Sequence, residues 1–224
     1  MSVVSSCAAL RKSIEKSRKN SLFTVSQVTL LAAVKGQPVS SIMEAIDAGV
    51  ADFGENRVQE AGAKWPALKA RHPNVRLHLI GALQTNKAAE ALALFDVIQT
   101  IDRPKLAETI ARIRDSGFGI QEKQFYIQVN TGEEPQKAGV VPKEADTLIA
   151  QCRALRLPIV GLMCVPPAGR PAAPHFALLR QIAERHGLKE LSMGMSEDFE
   201  TAVRMGSTCV RVGRALFGID PAAR

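Results

Sequence analysis

Lys35 ends the run Val28-Thr-Leu-Leu-Ala-Ala-Val34, so a primary amine follows directly on six apolar residues out of seven. An amine leaving a buried strand is poorly solvated, which favours its neutral form. The neutral amine is the form that attacks a carbonyl carbon. The plainer alternative is a strand-end lysine whose ammonium simply reaches solvent. A second group of residues lies near the other end of the chain. Ser192-Met-Gly-Met-Ser196 and Val212-Gly213-Arg214 each close a short apolar segment with a glycine turn. Gly194 and Gly213 let backbone N–H groups come close to an anion. Ser196, followed by Glu197 and Asp198, has the character of a helix N-cap. Each turn alone reads as an ordinary tight turn; two such turns beside a strand-end lysine favour an anion site.

These residues need a scaffold, and the hydrophobic pattern supplies one. Short apolar runs alternate with longer amphipathic stretches along the whole chain, with no low-complexity linker between them. Strands are expected at 28–34, 51–54, 75–80, 96–100, 124–130, 158–163, 190–192 and 208–212. Helices are expected at 40–49, 57–71, 86–94, 105–115, 142–155, 172–186 and 197–205, with a further N-terminal helix around Ala8–Lys16. Strands that alternate with single helices imply parallel βαβ units. Eight of them in 224 residues give one domain, 1–224, folded as a single (β/α)8 TIM barrel with an extra N-terminal helix. A doubly wound open sheet is the alternative, and the lack of GxGxxG after the first strand argues against its dinucleotide-binding form.

The barrel fixes where chemistry belongs, because its active sites lie at the C-terminal ends of the strands and its phosphate sites commonly follow strands 7 and 8. Lys35, Ser196, Gly213 and Arg214 satisfy that rule. Arg211 stands between Val210 and Val212, so alternation turns it inward if the valines face out. An inward charge needs a partner, and a pyridine nitrogen accepting from the guanidinium is one. A permanently charged arginine there would keep the ring nitrogen unprotonated and weaken the ring as an electron sink.

Composition narrows the function. The net charge is +7 and the pI about 9.5, but the cations are scattered. The densest stretch, Arg11 to Lys19, alternates with Ser and Glu and reads as a solvated helix face, so nucleic acid is not an expected partner. The four cysteines form no CxxC pair and the four histidines have no ligand spacing, which argues against a metal site and for buried reduced thiols in a cytoplasmic protein. The longest apolar run is far too short to span a bilayer.

Seven segments also match a known family in order. They are LLAAVK ending at Lys35, FGENRVQE from Phe53, HLIGALQTNK from His78, TIDR from Thr100, VNTGEEPQKAG from Val129, GLMCVPP from Gly161, and LSMGMSEDFETAVRMGSTCVRVGRALFG from Leu191 to Gly218. On these the chain resembles the pyridoxal phosphate homeostasis proteins, related in fold to the N-terminal barrel of alanine racemase. The resemblance implies that Lys35 carries pyridoxal 5′-phosphate (PLP) as a Schiff base. It implies Ser196, Gly213 and Arg214 at the phosphate, with Met195 contributing backbone, Arg211 at the pyridine nitrogen, and Asn56 and His78 near the ring. It sets Lys137 near the mouth, with a role in cofactor exchange. The implied function is to bind and buffer PLP and related B6 vitamers and to deliver PLP to PLP-dependent apoenzymes, without robust catalysis. No exposed apolar stripe stands out in the sequence, so a monomer is expected. A racemase- or transaminase-like enzyme of low activity is the alternative. Racemisation on this fold uses a tyrosine from a further C-terminal domain. Here six residues follow Gly218, and the single tyrosine, Tyr126, comes early in its strand.

Overall fold

Strands buried on both faces read as near-continuous apolar runs, and here each is followed by a helix whose apolar stripe covers its outer face. The computed structural model describes residues 2–120 and 122–218. After helix α1 (Val3–Lys19) the chain alternates β1 (Thr29–Ala33), α2 (Val39–Asp47), β2 (Asp52–Glu55), α3 (Val58–Arg71) and β3 (Arg76–Leu79). A 3-10 turn, Thr85–Lys87, leads into α4 (Ala88–Leu94), then β4 (Val97–Ile101), α5 (Pro104–Asp115), β5 (Gln124–Val129) and α6 (Pro142–Ala154). The last units are β6 (Ile159–Cys164), α7 (Ala173–Arg185), β7 (Glu190–Ser192), α8 (Phe199–Arg204), β8 (Cys209–Val212) and α9 (Arg214–Phe217). The eight strands form a closed barrel in sequence order, all pairs parallel, with β8 returning to β1. The expected (β/α)8 barrel with an added N-terminal helix is the observed fold.

Helical spacing explains the outer layer. Helix α5 buries Leu106, Ala107, Ile110 and Ala111, and α7 buries Phe176, Leu179, Ile182 and Ala183, the i, i+3, i+4, i+7 stripe that faces a core. Helix α1 packs against α2, α8 and α9, covering the seam where the barrel closes, and buries Cys7, Leu10 and Ile14. Its basic face is only partly a solvated one. Arg11 donates to the carbonyls of Ala48 and Gly49 at 3.1 and 2.6 Å, supplying donors to the C-terminal end of α2, where a cation is favoured. Part of the positive excess therefore serves the fold.

Two boundaries that bear on the site differ from expectation. Strand β1 stops at Ala33. Val34 still donates its N–H to Gly54, but its carbonyl accepts from Gln37 at 3.0 Å, closing a turn around Lys35 and Gly36. Gly36 has φ 70, the left-handed value a type II turn needs at its third residue. Helix α8 begins at Phe199, and its N-cap is Asp198 rather than Ser196. The reason is local: the Asp198 carboxylate accepts the Met195 N–H at 2.6 Å, which winds Ser196–Asp198 into a turn of its own. The four-residue helix α9, after Gly213, lies beyond the expected elements because it is shorter than one hydrophobic period.

Candidate functional site

Lys35 sits beyond β1, at the C-terminal mouth. Its side chain is exposed, whereas the apolar run before it predicts a desolvated amine. The turn at Val34–Gln37 causes the difference by lifting Lys35 one residue clear of the barrel wall. Lys35, Asn56 and the loop after β3 (Gly81, Ala82, Gln84) line a cavity of about 480 Å³, which Arg57 and Lys87 also border. Small-molecule sites run roughly 300–1,000 Å³. A Cβ on Gly81 would lie 2.1 Å from the Asn56 carbonyl oxygen, so only glycine lets these two loops meet and hold Asn56 beside Lys35. Arg57 and Lys87 are paired with Glu60 and Glu90 on their own helices, at 3.3 and 2.7 Å.

On the other side of β1, the turns after β7 and β8 are joined. The Ser196 hydroxyl accepts the Ala215 N–H at 3.2 Å, and Arg211 donates its backbone N–H to the Gly194 carbonyl at 2.9 Å. Gly213 lies flat against the end of β1, where a Cβ would come within 3.1 Å of the Ala33 carbonyl. Gly194, at φ 97, leaves no room for a side chain either: its Cβ would be 2.5 Å from that of Ala202. Ser196 and Gly213 are thus brought together two residues from Lys35 along the wall. The Arg214 side chain is not part of this cradle. It is exposed and pairs with Glu197 at 2.7 Å. The Met195 N–H is already taken by Asp198. The backbone role expected of Met195 therefore requires that contact to open.

Arg211 is inside the barrel, 4% exposed, as alternation predicts. Its hydrogen-bond partners are neutral: Nη1 donates to the Ser192 hydroxyl and Nη2 to the Cys164 carbonyl, both at 2.7 Å. No carboxylate hydrogen-bonds to this buried guanidinium, and Asp198 acts on it only at longer range, so its charge stays available to whatever else it meets. The donor set at this mouth fits PLP in kind: an amine for the aldehyde, backbone and hydroxyl donors for the phosphate, and an arginine for the ring nitrogen.

His78 is where the resemblance misleads. It is third in β3 and points to the opposite end of the barrel, where it lines a cavity of about 260 Å³ with Thr29, Asp52, Arg76, Gln124 and Glu190, each the first residue of its strand. Its Nε2 meets Asp52 Oδ1 at 2.9 Å and its Nδ1 meets the Gln99 amide at 3.0 Å. Burial depresses its pKa, against the opposing pull of Asp52. The unfolded chain therefore binds a proton near pH 6.5 that the folded chain refuses until lower pH. The stability His78 contributes is full above about pH 6.5 and falls as pH drops through that value. The gap in urea-unfolding stability between wild type and His78→Asn should accordingly narrow from pH 7 to pH 5, and a gap independent of pH would contradict this.

Gln99 and Ser192 lie outside the expectations, yet both are fully buried and bonded to each other, with Ser192 Oγ donating to Gln99 Oε1 at 2.6 Å. A polar residue in the centre of Val97-Ile-Gln-Thr-Ile101, a strand buried at every position, is the signal that marks Gln99. Lys137 is tied down, its ammonium 2.6 Å from Glu134 and 3.3 Å from the Pro166 carbonyl. The four cysteines are free and buried. Burial holds the Cys209 thiol up at about 11, so it is no nucleophile. Among the described residues, no helix is long and apolar enough to cross a membrane, and no cluster of metal ligands occurs.

Residues 6–221 match the family model described as alanine racemase, N-terminal domain. The chain is 40% identical over 204 residues to the pyridoxal phosphate homeostasis protein of Vibrio cholerae, covering 86% of each. It is 34% identical over 220 residues to that of Haemophilus influenzae, covering 93% of this chain and 92% of the other. Among solved structures, PipY of Synechococcus elongatus with PLP bound superimposes with a TM-score of 0.80 at 36% identity, covering 96% of this chain and all (100%) of PipY. Alanine racemase of Corynebacterium glutamicum, at 16% identity and TM-score 0.70, shares the fold over 98% of this chain and 62% of its own length.

Proposed function

The chain belongs to the alanine racemase N-terminal domain family, among the pyridoxal phosphate homeostasis proteins, and from that premise we propose that it holds and buffers PLP at the C-terminal mouth of its barrel. When bound, PLP supplies an aldehyde that a lysine amine captures with loss of water, and a pyridine ring that draws electrons. Lys35 Nζ forms that carbon–nitrogen bond. The Ser196 hydroxyl and the backbone N–H groups of Gly213 and Arg214 receive the phosphate. Asn56 borders the ring, and Arg211 donates to its nitrogen. The observation that carries the reading is the buried Arg211, hydrogen-bonded only to neutral groups, on the strand that leads into the Gly213 turn beside β1.

A holder is favoured over a racemase by the position of Tyr126. The single tyrosine of the chain is 5% exposed and lines the cavity at the N-terminal end of the barrel, away from Lys35. Burial raises its pKa further, so it offers no base at the mouth. Exposure of Lys35 suits exchange of PLP and related B6 vitamers with solvent, and hence delivery to PLP-dependent apoenzymes. Four buried free thiols fit the reducing cytoplasm, and exposed large hydrophobics that occur singly, Val4, Leu22, Val39 and Met195, fit a monomer.

Titrating the purified chain with PLP is expected to give a visible band at one equivalent, and borohydride to fix the cofactor on the peptide that contains Lys35. A chain that stays colourless, or labelling spread over surface lysines, would sink the proposal.

A further inference from the structure

A continuous line of hydrogen bonds crosses the barrel interior. It runs from Arg211 on β8 to Ser192 on β7, across the lumen to Gln99 on β4, on to His78 on β3, and ends at Asp52 on β2. Arg211, Ser192, Gln99 and His78 are all at most 4% exposed, and Asp52 opens into the cavity at the N-terminal end. The line therefore links the two ends of the molecule.

Its direction is fixed by its end groups. A guanidinium can only donate and a carboxylate can only accept. Ser192 Oγ accepts from Arg211 and so gives its own proton to Gln99 Oε1. The Gln99 amide then turns its NH2 toward His78 Nδ1, which must be bare. The ring proton is left on Nε2, facing Asp52. The reversed Gln99 amide would meet a proton on Nδ1, and Asp52 would still need one on Nε2, so the imidazole would have to be cationic. The groups facing it are Asp52 and Arg76, Glu190, Tyr126 and Cys209 across the same cavity, and Gln99, with Asp96 further off along β4. Asp52 is shared with Arg76 at 3.7 Å, which draws off part of its pull on a cationic ring.

We propose that Ser192, Gln99 and His78 are positioning residues for Arg211, forming a one-way relay that aims the guanidinium at the cofactor ring while keeping the nearest carboxylate of the line four hydrogen bonds away. A carboxylate directly on Arg211 would orient it equally well but would neutralise it. Neutral partners orient it and leave its charge intact, which is what disfavours a proton on the ring nitrogen. The inference rests on the reading that Arg211 meets that nitrogen.

The test uses the full-length chain, with and without PLP, and 15N NMR of the histidine rings. The expected result is a neutral His78 with its proton on Nε2 at pH 7 in both states. A proton on Nδ1, or a cationic ring, overturns the relay. Gln99→Leu should loosen PLP about tenfold, the scale of one buried hydrogen bond lost, and displace the visible band. Gln99→Glu puts an obligate acceptor against Nδ1, so His78 should become doubly protonated, a response that a purely structural role would not give. Wild-type PLP affinity and an unmoved band in Gln99→Leu, or a neutral His78 in Gln99→Glu, would overturn the proposal. If either variant fails to fold, the wild-type tautomer still decides it. No visible band in the wild-type chain would mean that the PLP reading itself had failed, while the tautomer would still report on the line.

Discussion

Lys35→Ala is expected to abolish the visible band that PLP acquires on the wild-type chain. PLP should be held at least about 100-fold more weakly, since a reversible covalent bond is lost and only phosphate and ring contacts remain. The fold should not change. Lys35 is exposed and in a turn, with no side-chain hydrogen bond or ion pair among the described residues, and surface changes of that kind stay within about 0.5 kcal/mol. The expected outcome is therefore a protein with wild-type urea midpoint and no colour. Lys35→Arg makes the sharper control, because a guanidinium keeps the positive charge but forms no such bond under these conditions. If the arginine variant retains colour, the covalent role lies with another amine. If the alanine variant retains colour and wild-type affinity, the site is elsewhere.

The second large effect belongs to Arg211, and it should divide between stability and binding according to the substitution. In Arg211→Met the Ser192 oxygen and the Cys164 carbonyl each lose a donor inside the barrel, at about 1–3 kcal/mol per group left unsatisfied. Removing a desolvated charge returns part of that cost. The net expectation is a loss of about 2–4 kcal/mol, read from urea unfolding. Arg211→Lys keeps the charge but cannot reproduce two divergent bonds with one ammonium. It should fold with a smaller loss and still bind PLP more weakly than wild type, with a displaced visible band. Equal stability of wild type and Arg211→Met would show that the two neutral partners gain nothing from the guanidinium. Unchanged affinity and band in Arg211→Lys would show that the fork does not meet the ring.

The two residues differ in how they were legible. Lys35 and the Ser196 and Gly213 turns stand out because strand ends and glycine turns are local features, readable from a few neighbours. Arg211 stands out through the period of two along β8. Gln99 shows a signal, an amide at the centre of a wholly buried strand, but nothing local says what it bonds. Its partners are 21 residues back and 93 residues ahead. His78 is the instructive error. Its motif is recognisable, but one motif position does not say which end of a tilted strand faces the ligand.

By itself, then, the sequence determined the alternation of strand and helix, the barrel that follows from it, and the family membership with Lys35 at a strand end. Periodicity, capping and short motifs depend on contacts within a few residues or on direct matching, so one dimension carries them. Only the tertiary structure decided that Lys35 stands clear of the wall, that Asp198 takes the Met195 N–H, that Arg214 turns to Glu197, and that His78 reaches Arg211 only through Gln99 and Ser192. The first two turn on local backbone geometry that composition does not reveal, and the last two on closure of the barrel, which joins the turns after β7 and β8 and faces β4 with β7. A hydrogen bond across that lumen joins residues that no local pattern relates.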